Sequence, residues 1–181
     1  IITLVGCATF PGKQIAKLEK FPIASQKPSI AISLAYKMCL NGQPSTVMAV
    51  AAEAQMQKKV LERFTKSGLY SSVTPGSGNA DINLTIELTD TGEANLGMAF
   101  LTGFTLYLLP SSAKDTFKLS ATTKLTKGRS GKNFVLQDSI TMHQQILLLP
   151  IMPFKMLPVV GAGVINNMFD TLALQVYQSA Q

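Results

Sequence analysis

The chain has 181 residues, 46% hydrophobic and only 14% charged, which excludes intrinsic disorder and favours one domain with a real core. Its 16 Lys+Arg against 10 Asp+Glu give a net charge of +6, and with two cysteines and one histidine it can build neither a disulfide framework nor a four-ligand Cys/His zinc site.

The chain opens Ile1-Ile2-Thr3-Leu4-Val5-Gly6-Cys7. An apolar run followed by small residues reads as the end of a secretory signal peptide, here residues 1–6. Leu4-Val5-Gly6-Cys7 resembles a bacterial lipobox. Such a motif implies cleavage before Cys7 and covalent diacylglycerol and acyl groups on its sulfur. One acyl chain anchors marginally and two or more anchor stably, at about 0.8 kcal/mol per buried CH₂. Ala8 in place of aspartate implies, by the sorting pattern of such lipoproteins, the periplasmic face of the outer membrane of a Gram-negative bacterium. The alternative is an ordinary amino-terminal strand with a chance cysteine.

Residues 7–27 read as the lipidated cysteine and a tether, carrying Pro11, Gly12 and Pro22 with Lys13, Lys17, Lys20 and Lys27. Near a bilayer each such lysine is worth about 1 kcal/mol against anionic headgroups; otherwise the segment is a solvated linker. Residues 28–181 read as a single α/β domain. Ile30, Ile32, Leu34, Tyr36, Met38 and Leu40 alternate with smaller or polar residues, the period of a half-buried strand. Cys39 falls in it and is expected as a buried, inert thiol. A helix is expected from Ser45 or Thr46 to Ser67, with Met48, Ala52, Met56, Val60 and Phe64 inward and Gly68 after its last turn. Leu69–Val73 reads as a short strand, Ile82–Thr89 as a strand, and 90–95 as a loop. Residues 96–109 are uncharged but too few to cross a bilayer as a helix. Phe104–Leu109 is expected as a buried strand after a short helix or irregular entry.

Residues 117–126 alternate again, and a hairpin at 128–131 returns the chain through Phe134, Leu136, Ile140 and Met142. Asp138 shares that apolar face. An unpaired buried carboxylate is costly, so it needs a partner or a bulge, and the bulge is the expectation. Ile146–Phe154 is apolar with two prolines, and a last helix from near Pro158 buries Val164, Met168, Leu172 and Val176. The order suggests an α+β fold: a two-layer sandwich with a mostly antiparallel sheet of four or five strands and two helices on one face.

Phe64-Thr65-Lys66-Ser67-Gly68-Leu69-Tyr70-Ser71-Ser72-Val73, followed by Ala80-Asp81-Ile82-Asn83-Leu84, resembles a helix–corner–strand element of Gram-negative envelope lipoproteins. Leu109-Pro110-Ser111, the Gly131-Lys132 hairpin and the proline-rich stretch before the last helix are similar too. Over residues 28–178 the layout resembles the amino-terminal domain of TolB-type proteins, the curli secretion lipoprotein and the lipopolysaccharide-assembly lipoprotein, although Cys7-Ala8 departs from the Cys-Gly start of the last. The resemblance implies docking in envelope machines for secretion, export or transport, with other envelope proteins as partners in a ring or complex.

The catalytic inventory is empty. His143 lies on the polar face of its strand, with no nucleophile motif to serve. Gly161-Ala162-Gly163 is no dinucleotide fingerprint, and no carboxylates share metal-ligand spacing. No catalytic residue, metal, cofactor or nucleic acid is expected. Lys114, Lys118, Lys124, Lys127, Arg129 and Lys132 surround the hairpin without interleaved aromatics, which points to an anionic partner surface or a solvated face rather than nucleic acid. A rival reading makes 96–109 and 146–165 the lining of a cavity for a lipid or other amphiphile.

Overall fold

The computed structural model describes residues 7–126, 131–148 and 150–181. Its strands are β1 (Cys7–Pro11), β2 (Ser29–Leu40), β3 (Gln43–Pro44), β4 (Ser72–Pro75), β5 (Ile82–Ala94), β6 (Ser111–Leu125) and β7 (Asn133–Gln144); its helices are α1 (Thr46–Ser67), α2 (Leu96–Phe104) and α3 (Leu157–Ala180). The architecture is α+β, with a seven-stranded mixed sheet in the order β1-β7-β6-β5-β2-β3 and β4 beside β2.

The expected four or five strands become seven, and the expected two helices become three. β2 runs parallel to both β4 and β5, while β5, β6, β7 and β1 are antiparallel. The parallel pairs arise because α1 returns the chain across one face before the next strand begins. Further strands come from residues expected as linker and loop. The segment expected as a tether starts with β1, paired with β7, and Ala8 is buried. Beyond it, the chain crosses α3, where Asn167 Oδ1 accepts from the Leu18 amide and Asn167 Nδ2 donates to the Ile15 carbonyl. Residues 90–94 extend β5 rather than looping.

Both long helices cover one sheet face. Val60 and Phe64 of α1 and Val164, Met168, Leu172 and Val176 of α3 pack on Ile30, Ile32, Leu84, Ile86, Leu88 and Leu119. Gly68 ends α1 at φ 68, a conformation that disfavours side chains with a Cβ. Arg63 of α1 grips Asp170 of α3 with a two-pronged ion pair, its Nε donating to Oδ1 at 2.8 Å and its Nη2 to Oδ2. Tyr70 stacks on Phe64 and donates its hydroxyl to the Ala173 carbonyl at 2.8 Å.

Three side chains depart from expectation. Met48 is exposed, because the first turn of α1 turns its neighbour Ala49 inward instead. Cys39 is half-buried rather than buried. Asp138 sits in an unbroken register opposite Phe117, so there is no bulge. It is buried, and its Oδ1 accepts from the amides of Gln14 and Ser139. Those charge-assisted bonds compensate its burial.

Candidate functional site

The register gives the sheet two distinct ends. Leu40 pairs with Gly92, Ala94 with Ala113, and Gln144 with both Ser111 and Cys7. These residues define the Cys7 end, where α1 and α3 also begin. Ile82 pairs with Leu125 and Thr122 with Asn133 at the opposite, hairpin end.

Cys7 lies in the edge strand β1 opposite Gln144, the last residue of β7, and is half-buried and not disulfide-bonded. Burial pushes its thiol above the ordinary cysteine range.

The basic residues form a row, not a cluster. Lys114, Lys118 and Lys124 are exposed at even positions of β6, on the face away from the helices. At about 3.4 Å per residue the row is some 34 Å long. Lys114 faces Glu93 across the strand pair, near the Cys7 end, while Lys124 and the exposed Lys132 lie at the hairpin end. Lys127 and Arg129 lie outside the described residues. On the same open face Lys37 pairs with Glu87 at 2.7 Å, so the face carries both signs. His143 is exposed there and packs against Phe10.

A feature the sequence reading missed stands at the Cys7 end. Three segments that meet there, 38–52, 94–113 and 139–154, contain no Asp, Glu, Lys or Arg. The expected buried strand at Phe104–Leu109 is absent. Leu96–Phe104 is helical instead, and the following loop is exposed. Its Leu106 and Tyr107 adopt left-handed φ values of 53° and 65°, which cannot continue a strand. Helix α2 is inside-out. Its buried residue is Thr102, whose hydroxyl donates to the Met98 carbonyl, whereas Phe100 is 73% and Phe104 79% exposed. These two phenyl rings stack on each other at 6.4 Å. The Asn95 side chain caps the helix by accepting from the Met98 amide. The Ile146 amide donates to the Tyr107 carbonyl, tying this loop to the short 3₁₀ turns at Ile146–Leu148 and Met152–Phe154. Leu147 and Phe154 are exposed there, as are Val47 and Val50 of α1. The available signal was the i, i+4 spacing of Leu96, Phe100 and Phe104, a helical period running into the stretch expected as a strand.

Asp90 of β5 and Asp115 of β6 lie on the helix-facing side of the sheet. Asp90 accepts from the Tyr36 hydroxyl at 2.8 Å, and burial raises its carboxyl above the ordinary range, with Asp115 adding to the shift. Asp115 is raised by burial as well. Burial also pushes the Tyr36 hydroxyl far above the ordinary tyrosine range. Among the described residues no three His, Cys, Asp or Glu side chains converge as metal ligands.

Two open clefts stand out among the described residues. One, of about 720 Å³, lies at the hairpin end between Pro28, Asp81 and Tyr177. The other, of about 700 Å³, lies under the 13–18 segment beside Arg63, Asp138 and Asp170. Of the two stretches expected to line a cavity, 96–109 lines neither cleft, whereas Lys155, Val160, Gly163 and Val164 of 146–165 line the second.

No protein-family model matches the chain, and no curated protein matches it. Among solved structures it is similar to a neuraminyllactose-binding hemagglutinin homolog from Helicobacter pylori, at 11% identity and a TM-score of 0.45, covering 92% of each chain. It is also similar to a PelC dodecamer from Paraburkholderia phytofirmans, at 9% identity and a TM-score of 0.28, covering 89% of this chain and 97% of that one. Both likenesses are too distant to carry an argument about activity or partners.

Proposed function

We propose that this chain is a non-catalytic, lipid-anchored envelope protein of the TolB-like lipoprotein class. In this reading it docks as a component of a multi-protein outer-membrane assembly for secretion, export or transport. The observation that carries the reading is the position of Cys7. The cysteine that ends Leu4-Val5-Gly6-Cys7 lies in the edge strand opposite Gln144, the last residue of β7, at the sheet end where charge is absent over three segments. An acyl group on its sulfur extends away from the folded domain and leaves the open sheet face and the hairpin end directed at the periplasm. The row of Lys114, Lys118 and Lys124 then offers contacts to an anionic partner protein. Docking, rather than chemistry, also fits a chain whose sole histidine is solvent-exposed.

The test is metabolic labelling with a fatty-acid analogue, with Cys7→Ser as control, followed by co-purification from solubilised envelope. Labelling that disappears in Cys7→Ser, together with a stoichiometric envelope protein in the wild-type eluate, supports the reading. An unlabelled Cys7, or a labelled chain that purifies alone, contradicts the anchor or the docking role respectively.

A further inference from the structure

We infer that the Cys7 end is itself a bilayer-contacting surface, in which α2 and its following loop insert their side chains into the lipid interface. This goes beyond an acyl anchor, because protein side chains make the contact and no acyl group is required.

Helix α2 inverts the pattern of a helix that borders water. Thr102 is fully buried, while Phe100, Phe104 and Leu108 stand in the open. In water an amphipathic helix turns its apolar side inward. An apolar exterior around a polar anchor is the arrangement expected against hydrocarbon. With 9 residues, α2 is about 13 Å long, far short of the ~30 Å hydrocarbon core. It therefore lies in the interface and does not span.

The surroundings fit lipid better than a protein partner. Protein interfaces use Arg anchors and a polar rim, yet 38–52, 94–113 and 139–154 contribute no charged side chain to this end. Its borders carry both signs: Lys37 and Glu53 flank 38–52, Glu93 and Lys114 flank 94–113, and Lys155, held over the Phe10 ring at 5.6 Å, follows 139–154. Lysines at the edge of an apolar cap suit the headgroup layer, where their stems remain among apolar neighbours and their ammonium groups reach phosphate. The left-handed Leu106 and Tyr107 add a backbone argument. Two non-glycine residues in that conformation hold an exposed apolar loop away from the sheet, a costly arrangement that recurs at functional surfaces.

The chain contains no tryptophan, so Phe104→Trp supplies a single reporter. The experiment uses Cys7→Ser protein, which cannot be acylated, and vesicles of phosphatidylethanolamine and phosphatidylglycerol with brominated acyl chains. The expected result is flotation with the vesicles, a blue-shifted emission on their addition, and several-fold quenching by the bromines. Phe100→Asp, Phe104→Asp and Leu108→Asp combined should abolish flotation without changing the circular dichroism. Folded protein that neither floats nor is quenched overturns the inference. So does a defined lipid-free oligomer whose emission is already blue-shifted and insensitive to vesicles, which would make this end a protein interface. If Phe104→Trp disturbs folding, Leu108→Trp gives the same readout. Quenching without fatty-acid labelling of the wild type would retain this surface and remove the acyl anchor, so the two ideas fail separately.

Discussion

Helices α2 and α3 are both strongly apolar, yet they occupy opposite environments. In α3 the apolar residues recur at helical spacing and lie in the core: Val164, Met168, Leu172 and Val176 are all buried. Its length and composition alone would suit a membrane span, but the stripe commits it to the sheet. In α2 Leu96, Phe100 and Phe104 recur at the same i, i+4 spacing, but that stripe faces outward and the chain buries Thr102 instead. Helical spacing gathers apolar residues onto one side of a helix; what the rest of the fold offers decides whether that side meets the core.

Core truncation breaks the comparison most sharply. Phe169→Ala in α3 should cost about 3–5 kcal/mol, whereas Phe104→Ala in α2 should change stability by no more than about 0.5 kcal/mol. Urea midpoints at fixed m-value read both. The ion pair holding α3 to α1 comes next. Arg63→Met leaves a largely buried Asp170 carboxylate without its fork and should cost about 3 kcal/mol; adding Asp170→Leu should recover much of that loss, as a double-mutant cycle in urea will register. Tyr70→Phe removes the hydroxyl bond to Ala173 and should cost about 1 kcal/mol, visible as a lowered melting temperature with the ring packing retained.

The smallest effect is one of pH. Burial raises the carboxyls of Asp90 and Asp115 in the folded state. Between the unfolded and the raised folded values the native protein binds more protons, so their contribution to stability falls as pH rises through that window. Asp90→Asn keeps an oxygen for the Tyr36 hydroxyl and removes the buried charge. Its melting temperature relative to wild type should therefore climb as pH is raised from about 4 to neutrality. A difference independent of pH would show that Asp90 carries no such cost.

Much of the fold was legible because burial imposes a period. The alternation from Ile30 onward gave β2, the spacing of Val60 and Phe64 placed α1, and Gly68 marked its end. The stripe from Val164 to Val176 placed α3. The remainder was hidden for identifiable reasons. A five-residue edge strand such as β1 has too few positions to display a period, and Pro11 and Gly12 made it read as linker. Parallel pairing of β2 with β5 depends on where α1 returns the chain, which no local pattern encodes. Asp138 looked like a register fault because its partners, the amides of Gln14 and Ser139, are backbone groups. At the candidate site, Cys7 was visible as a motif. The uncharged end was not, because its three segments are distant in sequence and each alone passes for ordinary core.

The claim that the two ends of the sheet face different media can be measured directly with nitroxide labels on vesicle-bound protein lacking its native thiols. A label at Phe104→Cys should be relaxed strongly by oxygen and weakly by a water-soluble nickel chelate, and a label at Lys124→Cys should behave in the opposite way. Equal nickel accessibility at the two positions would contradict the account.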